Sequence, residues 1–370
     1  MRALLLLLLL VGAPARGATT VIDRARLDAT PARTVLDLIE LYVPGATWLH
    51  TPGGATLAVR GVVDDRMVLY AVRVDGRRVE SGAWGGDQLE LMAWRLEDLE
   101  RVVVRRGPDA VTAGDAVGGT IDLYTRDAAT APGGAAGLTY TSAYDAAGAW
   151  ARYGARDLGP VDVFGFAAVQ VTPGDDAARI YTTHAEGGGY VGDALGPAGR
   201  FRSNTPTRTF ADADGPPPMK GQLTVAVLDD LILRLRYVRA GRATLAPGDG
   251  AFRAVVAGLA ITLPETRTQQ AAATAAWHRA LTDRLTLGAE GGYVTTDVRQ
   301  RAPDLRTRDL DDLTAFDARF AAHRLYARAE ATWRVRRAVR VEGGAGYART
   351  VFASAWGRSA EDGLRLGPVV

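Results

Sequence analysis

The strongest constraint on this chain is a change of period. From about residue 136 onward, apolar and polar residues alternate one by one over long stretches. Successive side chains of a β-strand point to opposite faces of a sheet, so a period of two sorts each stretch into two faces. In LILRLRYVRA (231–240), Leu231, Leu233, Leu235 and Tyr237 fall on one face and Arg234 and Arg236 on the other. In RLYARAEATWRV (324–335), Leu325, Ala327, Ala329, Ala331 and Trp333 oppose Arg324, Arg328, Glu330 and Arg334. RLTLGAEGGYVTT (284–296) and RVEGGAGY (340–347) behave alike. One face is lightly apolar, with aromatics near the ends. The other is charged, too polar for the core of a water-soluble sandwich. About nine strands follow from the period: 137–144, 148–156, 161–171, 219–228, 231–240, 268–280, 284–296, 318–335 and 338–352. Short turns at 157–160, 229–230, 282–283 and 336–337 alternate with long polar or Gly/Pro-rich loops at 173–217, 241–265 and 298–317. That is the layout of a transmembrane β-barrel. A soluble all-β protein is the competing reading, but strands of roughly 10–14 residues exceed the usual soluble length.

Composition agrees with interleaving. Of 370 residues 47% are hydrophobic, yet the mean hydropathy is −0.03. A net charge of +2 gives no whole-chain basic field for nucleic acid. The chain has no cysteine. That excludes disulfides, thiolate metal sites, a cysteine nucleophile and a lipoprotein anchor. Residues 1–17 read as a secretory signal: Met1-Arg2, an apolar run from Ala3 to Val11, then the small residues GAPARGA, with a cut after Ala15 or Gly17. The apolar run is too short for a spanning helix, and no later stretch is apolar enough. The chain is therefore expected to be exported, and either soluble or membrane-inserted as strands.

Residues 18–127 read as a compact mixed unit. TVLDLIELYVPG (34–45) predicts a short amphipathic helix, capped by Thr34 with Asp37 three residues on and stopped by Pro44-Gly45. TLAVRG (56–61) alternates as a strand. MVLYAVRVDGRRVE (67–80) predicts a hairpin around Asp75-Gly76. DQLELMAW (87–94) predicts a second short helix capped by Asp87. ERVVVRRGPDAVTAGDAVGGTIDLYTRD (100–127) predicts two strands with a glycine-rich link. The link has no lysine and leads into an alternating β-branched stretch. It therefore does not fit a phosphate loop, which opens a helix. Its glycines read as places of positive φ or close backbone approach.

The same residues carry a resemblance. Glu100, Arg101, Arg106, Gly107 and Pro108, then Gly114, Ala116, Gly118, Gly119, Ile121, Thr125 and Arg126, follow the plug signature of TonB-dependent outer-membrane receptors. That signature runs roughly E-R-I-E-V-x-R-G-P, a small-residue link, then A-x-G-G-x-I-N-I-x-T-K. Upstream, Arg60-Gly61 in LAVRG is similar to I-x-I-R-G. Asp75-Gly76 in YAVRVDGRRV is similar to the V-L-V-D-G-V-x-V hairpin. TVLDLIELYVPG resembles the helix that opens the plug.

The resemblance implies an α+β plug domain at 18–127 followed by an antiparallel transmembrane β-barrel. About 22 strands would be usual for a plugged barrel of this kind, so the strands of residues 136–370 form an incomplete one. It implies an outer-membrane receptor or transporter for a scarce ligand such as a ferric siderophore, cobalamin or another metal chelate. Its partners would be outer-membrane lipid and the periplasmic TonB protein. The alternative is an exported plug-like interaction protein of the envelope that transports nothing. Neither reading is an enzyme, and neither needs a cofactor, a resident metal or nucleic acid.

Three departures from the family pattern stand out. The plug opens at TTVIDRARL directly after the leader, leaving little length for a TonB box. Val103 replaces the second acidic residue of the signature, so one ion pair is expected to be lost. The sequence closes on GRSAEDGLRLGPVV without a terminal aromatic strand, which reads as a truncated receptor or a fragment.

Other candidate sites read weakly. His50, His184, His278 and His323 show no metal-ligand spacing. The carboxylates of 174–176 and 311–317 lack the spacing of a calcium loop. No serine lies in a G-x-S-x-G elbow. Trp84, flanked by Gly82, Gly85 and Gly86, is the candidate ligand contact at a plug apex, against the plainer role of a packed anchor.

Overall fold

The computed structural model describes residues 19–51, 54–59, 69–79, 88–93, 95–107, 118–141, 146–171, 218–228, 230–239, 254–256, 259–261, 265–303, 315–336, 339–358 and 365–366. The predicted leader, Arg60, Gly61, Trp84, Pro108, Gly114, His184 and the 174–176 carboxylates lie outside them.

The N-terminal unit is built on a five-stranded mixed sheet. Its strands are β1 (Thr19–Ile22), β4 (Tyr70–Val74), β5 (Arg77–Arg78), β6 (Leu99–Arg106) and β7 (Gly119–Thr125), in the order β1-β6-β7-β4-β5. β4 and β7 run parallel and the other pairs antiparallel. β2 (Ala46–Thr51) and β3 (Gly54–Val59) form a separate hairpin. Three short helices flank these strands: α1 (Arg24–Ala29), α2 (Val35–Tyr42) and α3 (Gln88–Met92). α2 forms where expected, because Thr34 and Asp37 make a reciprocal capping box that satisfies two orphan backbone N–H groups. Its apolar stripe of Val35, Leu38 and Ile39 is buried, together with Leu36, against Val72, Val102, Ile121 and Leu123 of one core.

The second unit is a long antiparallel meander. Its strands are β8 (Gly133–Thr141), β9 (Ala146–Ala155), β10 (Val161–Val171), β11 (Met219–Val227), β12 (Leu231–Arg239), β15 (Glu265–Thr282), β16 (Leu285–Pro303), β17 (Ala315–Arg336) and β18 (Val339–Arg358). Each pairs with the next, and two-residue β19 (Arg365–Leu366) extends the far end. A separate hairpin of β13 (Ala254–Val256) and β14 (Leu259–Ile261) falls between β12 and β15 in the chain, which pair directly with each other. The nine main strands match the nine read from the period.

Their lengths correct the reading. β16 continues to Pro303 and β17 begins at Ala315, so both edges of the expected 298–317 loop belong to the ladder. The ladder there pairs Val298 with Phe320 and Arg299 with Arg319. The polar and alanine-rich ends of these strands hide the apolar alternation on which their limits were drawn.

The two faces differ as expected. Leu138, Tyr153, Leu233, Leu235, Leu325 and Trp333 are exposed on one side. Lys220, Gln222, Arg236, Gln270 and Thr296 are buried on the other, with Phe164 and Phe166. The inversion relative to a soluble sheet has a direct cause: the charged face is covered by the N-terminal unit, and the apolar face is left outside. Among the described residues no helix is long and apolar enough to cross a membrane.

Candidate functional site

The site lies where the N-terminal unit meets the polar face of the sheet. Its centre is a group of four ionised side chains. Glu90 projects from α3, and Asp98 sits just before β6. Lys220 comes from β11, and Arg236 from the neighbouring β12. Arg236 donates Nε and Nη2 to the two carboxylate oxygens of Glu90 at 2.6 and 2.8 Å, and Nη2 also to Asp98 at 2.9 Å. Its Nη1 donates to Gln222 at 2.8 Å. Lys220 Nζ donates to Asp98 at 2.8 Å and to the Arg95 carbonyl at 3.2 Å. Gln222 in turn donates to Thr125 Oγ1 at 2.9 Å and to the Arg126 carbonyl at 3.2 Å.

All four charged groups are buried, Asp98 and Glu90 to within 1% of completely. Burying charge is costly unless every charge is paired and hydrogen-bonded, and here each is. Burial alone would raise both carboxyls. For Glu90 the adjacent Arg236 outweighs burial, and for Asp98 Lys220 and Arg236 together do so. Both carboxyls are held below their ordinary values. Around this centre Arg234 lies 3.5 Å from Asp75, Arg95 donates to Thr139 at 2.6 Å, and Arg152 donates to the Ala131 carbonyl at 3.2 Å.

The predicted signature residues are distributed around this interface, with structural roles. Asp75 and Gly76 both have positive φ, 50° and 81°, as a primed hairpin turn requires. The Asp75 carboxylate also accepts from Thr125 N at 2.9 Å and Thr125 Oγ1 at 2.6 Å, which ties the turn to the end of β7. Arg101 stacks on Tyr124 at 4.1 Å. Glu100 lies 3.6 Å from Arg126, an ionic contact too long for a hydrogen bond. Arg106 donates to the Pro44 carbonyl at 2.9 Å.

The glycines answer to backbone crowding. Gly107 N donates to the Gly118 carbonyl, and Gly118 N to that of Leu69. A Cβ at Gly118 would lie 2.9 Å from the Tyr70 ring, and one at Gly119 only 2.1 Å from the Arg105 carbonyl oxygen.

Val103 itself makes no ion pair, but a carboxylate lies beside it. The valine stands directly across the ladder from Asp122, which occupies the signature's asparagine position. Asp122 binds Arg73 and Arg105. The negative charge has moved to the neighbouring strand, on the same face of the sheet. His278 and His323 have partners elsewhere: His278 lies 3.3 Å from Glu330, and His323 Nδ1 is 2.6 Å from the Tyr293 hydroxyl.

A family model described as the TonB-dependent Receptor Plug Domain matches residues 14–120. The chain carries a TonB-dependent receptor plug domain. The plug and the sheet together are similar to solved structures of such receptors. One is the ferric citrate transporter FecA, with 16% identity and a TM-score of 0.63, covering 95% of this chain and 51% of that one. Another is a mutant of the ferric enterobactin receptor PfeA from Pseudomonas aeruginosa, with 15% identity and a TM-score of 0.62, covering 93% and 50%. A third is the copper transporter OprC, with 16% identity and a TM-score of 0.61, covering 95% and 49%. At these identities the likeness is one of fold: a plug against part of an antiparallel barrel wall. The chain spans about half the length of these structures. No curated protein matches the sequence.

Sequence reasoning placed Arg234 and Arg236 on the polar face of the wall but did not find their partners. Glu90, Asp98, Lys220 and Gln222 were missed. The available signal was a lysine and an arginine on the polar face of adjacent wall strands, which together need acidic partners from whatever covers that face.

Proposed function

We propose that the protein acts as an outer-membrane receptor for uptake of a scarce ligand, with TonB as its periplasmic energy source. The observation that carries this reading is the buried Glu90–Asp98–Lys220–Arg236 cluster, which seats the plug on the polar face of a wall whose opposite face is apolar. A wall of that polarity suits lipid outside and a filled lumen inside. A small metal chelate is the ligand class favoured, since FecA and PfeA carry ferric complexes in their names and OprC copper. In this reading the plug's role is one of positioning.

Fractionated envelopes test this, probed with an antibody to the plug. The expected result is resistance to alkaline carbonate, extraction by detergent, and a heat-dependent shift in gel mobility. Release by carbonate without a mobility shift would replace the reading with that of a peripheral envelope protein that binds partners and transports nothing.

A further inference from the structure

A cavity of about 340 Å³ lies between the β4–β5 hairpin of the plug and the inner face of β16, β17 and β18. The hairpin contributes Arg73, Arg77 and Arg78, and β17 contributes Arg324 and Arg328. The one carboxylate among the described lining residues is Glu290. It is already used, accepting from the Tyr326 hydroxyl at 2.8 Å and from Arg328. Arg73 is committed to Asp122.

Arg77 is different. It is 7% exposed, and its Nη1 is buried with no hydrogen-bond partner. Burial pushes the guanidinium below its ordinary value, against the smaller opposing influence of Tyr326, Glu90 and Asp75. An unsatisfied buried guanidinium nitrogen is costly to hold without an anion.

We propose that this cavity binds a small oxyanion, a phosphate or a dicarboxylate, through Arg77. The planar guanidinium fork presents paired N–H donors that match the oxygens of either group. The cavity's volume is within the range of small-ligand sites. Five arginines line the cavity, Arg73 and Arg328 of them paired to Asp122 and Glu290, so the local charge favours an anion. Gly76, which takes the turn's φ of 81°, lies within van der Waals reach of Arg328 and so holds the hairpin against the wall beside Arg77.

The test is calorimetric titration of the full chain in detergent, with ionic strength held constant by chloride. The probes are inorganic phosphate and malonate, which separate free phosphate from ligand carboxylates as the source of the anion. The expected result is saturable binding of at least one probe, weakened tenfold or more in Arg77→Met. Near-UV circular dichroism checks that the variant is folded. If it is not, Arg78→Gln takes its place, with the same loss expected. Absence of saturable binding by the native chain, or unchanged affinity in a folded variant, overturns the proposal. The titration needs neither a membrane nor uptake, so its failure is distinct from failure of the receptor reading.

Discussion

Arg236 is the residue on which the plug–wall interface turns, because it alone touches Glu90, Asp98 and Gln222. Arg236→Ala leaves two buried carboxylates short of a partner and is expected to cost about 3–5 kcal/mol. Denaturant unfolding of the detergent-solubilised chain would measure it. The same cluster sets a pH dependence. Glu90 and Asp98 are held below their ordinary values of 4.5 and 3.8, so they bind fewer protons folded than unfolded. Their contribution is present above those values and is lost as pH falls through the depressed ones. The unfolding midpoint should therefore fall in acid, and the fall should shrink in a Glu90→Gln, Arg236→Met double variant. At Gly119 the φ of 142° and the nearby Arg105 oxygen both oppose a side chain, and Gly119→Ala should cost more than about 1 kcal/mol. Gly165, with open space around it, should accept alanine within about 0.5 kcal/mol.

Among the elements, α2 shows how local chemistry writes structure. Thr34, Asp37 and the apolar stripe are all within one short stretch, and the helix was legible in full. Thr34→Ala should lower stability by about 1 kcal/mol, read from the same unfolding curves. The wall strands were legible for a related reason: a period of two survives wherever one face is apolar. It failed at the end of β16, where DVRQRAP is too polar to show an apolar face, and at the first three residues of β17, Ala315–Asp317, which fall within the expected loop. The Lys220–Asp98 and Arg236–Glu90 pairs were illegible for another reason. They span 122 and 146 residues of chain, and no local pattern marks which lysine will meet which aspartate.

For the whole molecule, polarity is turned inside out: charge lies against the plug and leucine outside. If the outer face meets lipid, Leu235→Arg should destabilise by roughly 2–4 kcal/mol at mid-membrane depth and less near an interface. The same change on a surface facing water would move stability by about 0.5 kcal/mol or less. Measuring folding of the variant into lipid vesicles separates the two cases.

The cluster also bears on how the molecule is put together. Lys220 and Arg236 project from adjacent strands into the same space, and neither has an acid of the wall as its hydrogen-bonded partner there. Strands brought together without the plug would hold two cations side by side with no carboxylate between them, a like-charge pair that only water would screen. The plug is thus the counter-ion of its own container, and β11 and β12 gain their full stability only once it has arrived.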